Sequence, residues 1–223
     1  MNEKQLAAEK STEFIKDGMT LGLGTGSTVF FLINKLAKLV KDGLNVKCVS
    51  TSHQTSELAK GLGIKIVDLD EVDHIDLTID GADEVDIKLN GIKGGGGALL
   101  FEKIVATASE KVIWIIDSSK YVDKLGKFPL PVEVIPFGSD HIIKKFFARG
   151  YNPKKRMNGE DIYRTDSGNE IVDLHLNEID DSIKLERDIK LIPGVVEVGL
   201  FNNIVDVLII GRNDSTEILK RNN

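Results

Sequence analysis

Three turns in the first half of the chain carry residue types that handle an anionic oxygen: GLGTGST at 22–28, DGADEVD at 80–86 and KGGGGALLFEK at 93–103. Each follows an apolar strand pattern or opens a helical one, so together they could set backbone N–H groups, carboxylates and a lysine around one small anionic ligand. In the first, Thr25, Gly26, Ser27 and Thr28 offer hydroxyls and amides at a helix N-terminus, where unpaired N–H groups and the helix dipole suit a single phosphate. A plain tight turn with Ser27 or Thr28 as N-cap fits the same residues. A dinucleotide site asks for GxGxxG and an acidic residue near the end of the second strand. Here Gly22, Gly24 and Ser27 break the pattern and that strand ends Val49-Ser50-Thr51, which argues against NAD. A P-loop needs a lysine before its hydroxyl residue, and Gly26 is followed directly by Ser27, which argues against ATP hydrolysis.

In the second turn, Asp80, Gly81, Ala82 and Asp83 follow the apolar run Ile75–Ile79. Carboxylates at a strand's carboxyl end can hydrogen-bond sugar hydroxyls and move protons between neighbouring oxygens. Simple solvation is the commoner fate of an acidic cluster. A calcium loop is a poor match, because position 88 is lysine and no glutamate stands at the closing position. Residues 87–93 read as a tight hairpin around Asn90-Gly91 that folds Lys93 towards the aspartates.

The third turn has Gly94, Gly95, Gly96 and Gly97 in front of ALLFEKIVATA. A glycine run ordinarily means a flexible linker, but linkers seldom lead straight into so good a helix. Amides there can approach a ligand oxygen closely, as an oxyanion site requires. Glu102 falls four residues after Ala98, on a stripe with Val105 and Ala106, so its carboxylate is expected to be partly desolvated. Desolvation moves a glutamate pKa towards the value of about 6–7 that suits a general base, with Lys93 opposing. A glutamate paired with a surface lysine fits the spacing equally.

Composition sets the frame for these turns. The 223 residues, 41% hydrophobic and 6% aromatic, can bury an ordinary core in one large domain or two small ones. A net charge of −6, from 29 basic and 35 acidic residues without a basic block, gives no footprint for nucleic acid or an anionic membrane. No apolar run approaches the roughly 20 residues of a membrane span. The start MNEKQLAAEKSTEF is too charged for a signal peptide, so a cytoplasmic protein is expected. Cys48, the lone cysteine, reads as a packed strand thiol in VKCVS.

The elements that must position the turns follow from periodicity. Helices are expected at 3–17, 27–40, 54–62 and 98–109, with strands at 19–23, 45–50, 64–67, 75–79 and 111–116. This alternation predicts a parallel sheet with helices on both faces, and the turns fall at the carboxyl ends of its strands. KFPLPVEVIP reads as an extended crossing into a second unit. That unit shows helices at 141–149 and 182–191 and strands near 151–156, 170–174 and 195–198, a small α+β sandwich of split βαβ type. A strand at 205–210 and a terminal helix are expected to return to the first sheet. The domains are accordingly drawn as 1–127 with 199–223, and 128–198. His175 reads as a packed residue of the second domain, which offers little chemistry.

GLGTGST, TSHQT, DGADEVD, KGGGGALLFEK, IIDSSKYVDKLGKFPLPVEVIP and IPGVVEVGLF, in that order and spanning almost the whole chain, resemble the successive signatures of the ribose-5-phosphate isomerase A family. The resemblance implies a Rossmann-like parallel-sheet domain with a smaller ferredoxin-like α+β domain, in a homodimer or homotetramer. It implies an aldose-ketose isomerase of the pentose phosphate pathway, with no cofactor and no metal, interconverting ribose 5-phosphate and ribulose 5-phosphate. Glu102 then matches the proton acceptor, while Thr25–Thr28, Asp80–Asp83, Lys93–Gly96, Lys120 and Lys4 match binding positions. One departure is Phe101, where the family often has arginine before the catalytic glutamate.

On that basis Asp80 is expected to open the furanose, Glu102 to carry the proton from C2 to C1, Lys93 with the Gly95 and Gly96 amides to stabilise a cis-enediolate, and Asp83 to orient hydroxyls. Ser27, Thr28 and Lys120 would hold the phosphate. A non-catalytic sugar-phosphate sensor would need neither Glu102 nor Lys93 and would carry an output module, which the sequence does not show. An amino-sugar phosphate isomerase or deaminase would share the enolisation chemistry on a larger substrate.

Overall fold

The computed structural model describes residues 2–221. One unit comprises the chain to Ala82, Phe101–Tyr121 and the chain from Ile204 on; the other comprises Asp83–Leu100 and Val122–Asn203.

The first unit is built on a six-stranded sheet in the order Ser215–Lys220, Val207–Arg212, Val112–Asp117, Leu77–Asp80, Thr20–Leu23, Lys47–Ser50. All neighbours are parallel except the first pair. Ala7 and Ala8 of helix Glu3–Ser11 and Val29, Leu32, Ile33 and Leu36 of helix Ser27–Lys41 pack with Leu21, Leu23, Ile79, Ile113 and Ile209 into its main core. The periodicity of the sequence thus places the helix faces correctly. Three expectations fail. The helix expected over 3–17 ends at Ser11 and gives way to the 3-10 turn Thr12–Phe14. In place of a terminal helix, Ser215–Lys220 is a strand, because Asn213 takes a left-handed φ of 47° and reverses the chain into a hairpin with Val207–Arg212. Residues 64–67 are not a full strand but a single bridge from Ile66 to Cys48, cut short by the capping box that opens the 3-10 turn Leu69–Glu71. Cys48 itself is buried, and burial pushes its thiol up to about 12, which leaves it unreactive at neutral pH.

The second unit carries a four-stranded antiparallel sheet in the order Val195–Val198, Leu130–Val134, Glu170–Leu174, Pro153–Lys155. Helices Ser139–Ala148 and Ser182–Lys190 complete a β-α-β-β-α-β chain order, the ferredoxin-like arrangement. Leu130, Val132 and Val134 pack with Ile142, Phe146 and Ile189 into its core. The proline-rich stretch is therefore an inner strand rather than a crossing. Pro131 is accommodated because strand Val195–Val198 stops one residue short of it: its missing donor faces no strand partner on that side, while its carbonyl accepts from the Gly199 N–H at 2.7 Å. A three-stranded sheet, Leu200–Phe201 with Gly91–Ile92 and Glu84–Val85, belongs to the same unit. The buried Glu84 carboxylate stitches it in, accepting from the Gly126 N–H at 2.7 Å and the Phe128 N–H at 2.6 Å. These contacts carry 83–100, 122–127 and 199–203 into this unit.

Glu133, 1% exposed, stands opposite Glu197 in register. Its Oε1 accepts from Thr165 Oγ1 and Asn169 Nδ2, both at 2.9 Å, while its Oε2 is buried without a hydrogen bond among the described residues. Burial, then the charges of Glu197 and Asp166, push this carboxyl up against the pull of those two bonds. A raised carboxyl binds its proton more tightly folded than unfolded, so stability falls as pH rises from the ordinary value of 4.5 through the raised one. Glu133→Gln is expected to raise the melting temperature at pH 7 by about 2–4 °C, some 1 kcal/mol, and to flatten its pH dependence in the acid range. Thermal melts of both proteins between pH 4 and 8 check this.

Candidate active site

In the first unit the glycines of GLGTGST make room for a carboxylate. A Cβ on Gly24 would lie 1.8 Å from Asp80 Oδ1, so only glycine lets the end of strand Thr20–Leu23 pass beside that side chain. Asp80, 2% exposed at the end of Leu77–Asp80, accepts through Oδ1 from the Thr25 N–H at 3.0 Å and the Gly81 N–H at 2.7 Å. Gly81 and Ala82 are half-buried behind it.

Thr25 Oγ1 lies 2.8 Å from both Thr51 Oγ1 and Ser52 Oγ. Its hydroxyl thus ties the first turn to TSHQT, a structural use that its position in a phosphate-like turn does not announce. Ser52 also caps helix His53–Gly61 by accepting from the Thr55 N–H.

Helix Ser27–Lys41 opens at Gly26, whose φ is 115°, with no side-chain cap. Its first-turn amides are therefore not closed off by a capping side chain, and the dipole adds positive potential there. Ser27 is exposed and Thr28 buried. Lys4 Nζ donates to Ser27 Oγ at 2.9 Å, so a residue close to the chain's start reaches this turn. What holds it is Glu3, which the sequence reading passes over. The Glu3 carboxylate accepts from Ser118 Oγ at 2.7 Å, the Ser118 N–H at 2.9 Å and the Asn213 N–H at 2.8 Å. These bonds, that of the Ser118 side chain foremost, hold its carboxyl below the ordinary value. Lys120, half-buried, ends the 3-10 turn Ser118–Lys120 that Glu3 grips.

Glu102 lies in helix Leu99–Thr107 and is 4% exposed, on one buried stripe with Ala98, Val105 and Ala106. That burial matches the desolvated stripe expected of it. Phe101 is half-buried and lines, with Val49, Ser52, His53, Ser56 and Ile104 among others, a groove of about 820 Å³. At position 101, where the resembled family often has a cation, the groove is lined by an aromatic ring instead.

In the second unit, the hairpin carrying Asp83 and Lys93 differs from expectation in its turn. Glu84 pairs with Ile92 and Val85 with Gly91, so Gly91 is inside the strand. The reversal runs from Asp86 to Asn90: the Asp86 carboxylate accepts from the Lys88 and Asn90 N–H groups, and Leu89 takes a left-handed φ of 60°. The strands still bring Asp83 opposite Lys93, with the Asp83 N–H donating to Ile92 O at 2.8 Å. Lys93 is 2% exposed, its N–H donates to Gly199 O at 2.9 Å, and its ammonium lies 5.5 Å from the Phe201 ring centre. Asp83 Oδ2 accepts from the Gly95 N–H at 2.7 Å. The Gly95 amide, expected to face an oxyanion, is thus engaged by Asp83. Gly96 is exposed, and its N–H makes no hydrogen bond among the described residues.

The first unit offers a fixed carboxylate, a buried glutamate and a helix N-terminus reached by Lys4; the second offers a fixed carboxylate and a buried lysine. A family model described as ribose 5-phosphate isomerase A (phosphoriboisomerase A) matches residues 47–215. Ribose-5-phosphate isomerase A of Bifidobacterium adolescentis is 55% identical over 99% of this chain and 96% of its own length. That of Limosilactobacillus reuteri is 52% identical over 97% and 96%. Among solved structures, ribose 5-phosphate isomerase A of Methanocaldococcus jannaschii superposes with a TM-score of 0.92 at 40% identity, covering 97% of each chain. A D-ribose-5-phosphate isomerase in complex with phospho-erythronic acid gives 0.95 at 40% identity, covering 99% of this chain and 100% of that one.

Proposed function

Since the chain belongs to the ribose 5-phosphate isomerase A family and is an aldose-ketose isomerase of ribose 5-phosphate and ribulose 5-phosphate, we propose that it works without a metal through a cis-enediolate, with Glu102 as the base. The observation that carries this assignment is a glutamate only 4% exposed in a helix led by a glycine turn. Asp80 moves the proton of the C1 hydroxyl to the ring oxygen, which opens the furanose to the aldehyde. Glu102 takes the proton from C2, the C–H electrons form the C1=C2 bond, and negative charge develops on the C1 oxygen. The hydroxyl proton passes from the C2 oxygen to the C1 oxygen, and Glu102 returns its proton to C1, giving the ketose.

Lys93 and the Gly96 N–H are the donors assigned to the enediolate oxygen, in the manner of an oxyanion hole. Asp83, steadied by the Gly95 N–H, orients the sugar hydroxyls. The amides of the first turn of Ser27–Lys41, the hydroxyls of Ser27 and Thr28, and Lys4 and Lys120 take the phosphate; the Lys4 to Ser27 bond of 2.9 Å supports Lys4 in that role. Phospho-erythronic acid, the ligand of the structural relative, bears a carboxylate that can stand in for enediolate oxygens. It is therefore the analogue with which to probe this chain's site.

The test is ribulose 5-phosphate formation from ribose 5-phosphate in the presence of EDTA, with ribose as the control substrate. Turnover is expected to survive the chelator. Ribose is expected to lose kcat as well as apparent affinity, because binding of the unreactive phosphate fixes C1 and C2 against the base. Equal kcat for ribose would sink the phosphate assignment, and ammonia released from glucosamine 6-phosphate would support the amino-sugar reading instead. Among the described residues no helix is long and apolar enough to cross a membrane. A cytoplasmic homodimer or homotetramer completes the proposal, and sedimentation equilibrium distinguishes the two assemblies.

A further inference from the structure

The glycine turn of the second unit has one hydrogen bond of its own, from the Gly97 N–H to Gly94 O, and is otherwise held from outside. Arg156 Nη1 donates to Gly94 O at 2.8 Å and to Gly95 O at 3.1 Å, and Tyr163 Oη donates to Gly96 O at 3.2 Å. Three successive carbonyls of the run are thus gripped from residues more than sixty positions away.

A trans peptide unit is planar, with its C=O and the following N–H pointing in opposite directions. Holding Gly94 O therefore aims the Gly95 N–H, which bonds Asp83; holding Gly95 O aims the Gly96 N–H; holding Gly96 O aims the Gly97 N–H, which donates back to Gly94 O at 2.9 Å. Glycines have more backbone freedom to lose than any other residue, so a run of four keeps one geometry only if something outside it does the holding.

The two gripping side chains are themselves fixed. Asp173 accepts from Arg156 Nε at 2.9 Å and from Nη2 at 2.5 Å, a two-point pair that sets the guanidinium plane. The Tyr163 N–H donates to Arg156 O at 3.0 Å, and the guanidinium carbon lies 5.8 Å from the Tyr163 ring centre. Burial pushes the Tyr163 phenol above its ordinary value, so it remains a donor at neutral pH. The turn is shaped to receive this ring: a Cβ on Gly97, whose φ is 81°, would lie 2.1 Å from Tyr163 Oη.

We propose that Arg156 and Tyr163 are positioning residues for the isomerisation, which set the Gly96 N–H for the enediolate and, through the Gly95 N–H, the Asp83 carboxylate. This rests on the roles given to Gly96 and Asp83 above. A cationic donor on a carbonyl also polarises that peptide, making the N–H of Gly96 a stronger donor than an unassisted amide.

The experiment compares wild type, Arg156→Lys and Tyr163→Phe in three readouts: kcat and KM for ribose 5-phosphate, inhibition by phospho-erythronic acid and by inorganic phosphate, and the amide NMR shifts of Gly95 and Gly96. Arg156→Lys keeps the charge but not the two-point geometry, and is expected to lower kcat about 10- to 100-fold with KM within about twofold, in line with the cost of misplacing a reacting group. Tyr163→Phe is expected to lower kcat several-fold. Phospho-erythronic acid should weaken in proportion to kcat, inorganic phosphate should not, and both amide shifts should move. Unchanged kcat and amide shifts in both variants would overturn the proposal, as would parallel losses of kcat and phosphate inhibition, the pattern of a merely structural residue. A wild type that binds phosphate but makes no ribulose 5-phosphate would instead contradict the reaction assigned to the site, and the amide shifts would still decide whether Arg156 and Tyr163 set the turn.

Discussion

Glu102→Gln is expected to lower kcat for ribose 5-phosphate by about 10²–10⁴-fold, the range for removing a positioned general base, with KM within about threefold. Glutamine has the shape of glutamate, so a side chain 4% exposed on a helix stripe with Val105 and Ala106 can be replaced without opening a cavity. What it loses is the ability to accept and return a proton. Coupled-assay kinetics, with circular dichroism and a thermal melt to establish that the variant is folded, check the claim. A folded variant with near wild-type kcat would remove Glu102 from the chemistry.

Lys93→Met is expected to cost about 10²–10³-fold in kcat, the usual penalty for deleting one donor to a developing oxyanion. Methionine preserves much of the length and the packing over the Phe201 ring while removing the ammonium 5.5 Å from its centre. Because the stabilisation is aimed at the enediolate, phospho-erythronic acid should lose affinity by a comparable factor while KM for the substrate moves little. Inhibition constants measured beside kcat separate this from a simple loss of binding. If KM rises while kcat holds, Lys93 binds the ground state and the enediolate oxygen has a different partner.

Much of this was legible in the sequence because it is local. GLGTGST, DGADEVD and KGGGGALLFEK each announce a turn at a strand end or a helix start, and the 3.6-residue stripe through Glu102 is read directly from the spacing of Ala98, Val105 and Ala106. What stayed hidden depends on contacts between residues far apart in the chain. The Thr25 hydroxyl is committed to Thr51 and Ser52, the Glu3 carboxylate to Ser118, and the Arg156 guanidinium to Gly94 and Gly95. No periodicity encodes those pairings.

The structural misreadings have local causes of a different kind. STEILK near the C-terminus is short enough for a helix or a strand, and the left-handed Asn213 decided it. The prolines of KFPLPVEVIP argue against an inner strand, and the end of the neighbouring strand at Val198, one residue short of Pro131, makes one tolerable. The glycine run suggested two oxyanion amides. Asp83 takes one of them, a competition that could have been anticipated from an aspartate directly across a hairpin from the run.

The most direct test of the account is to follow a label from C2. Ribose 5-phosphate deuterated at C2 is converted in light water with EDTA present, by wild type and by Glu102→Gln, and the ribulose 5-phosphate formed is analysed by NMR at C1. A base-catalysed enediolate predicts that wild type turns over more slowly on the labelled substrate and releases part of the deuterium to solvent, and that neither turnover nor exchange is appreciable in the folded variant. Complete retention of the deuterium at C1 together with undiminished turnover in Glu102→Gln would mean a direct hydride shift, and wild-type exchange in Glu102→Gln would mean another base; either result contradicts the mechanism assigned to Glu102.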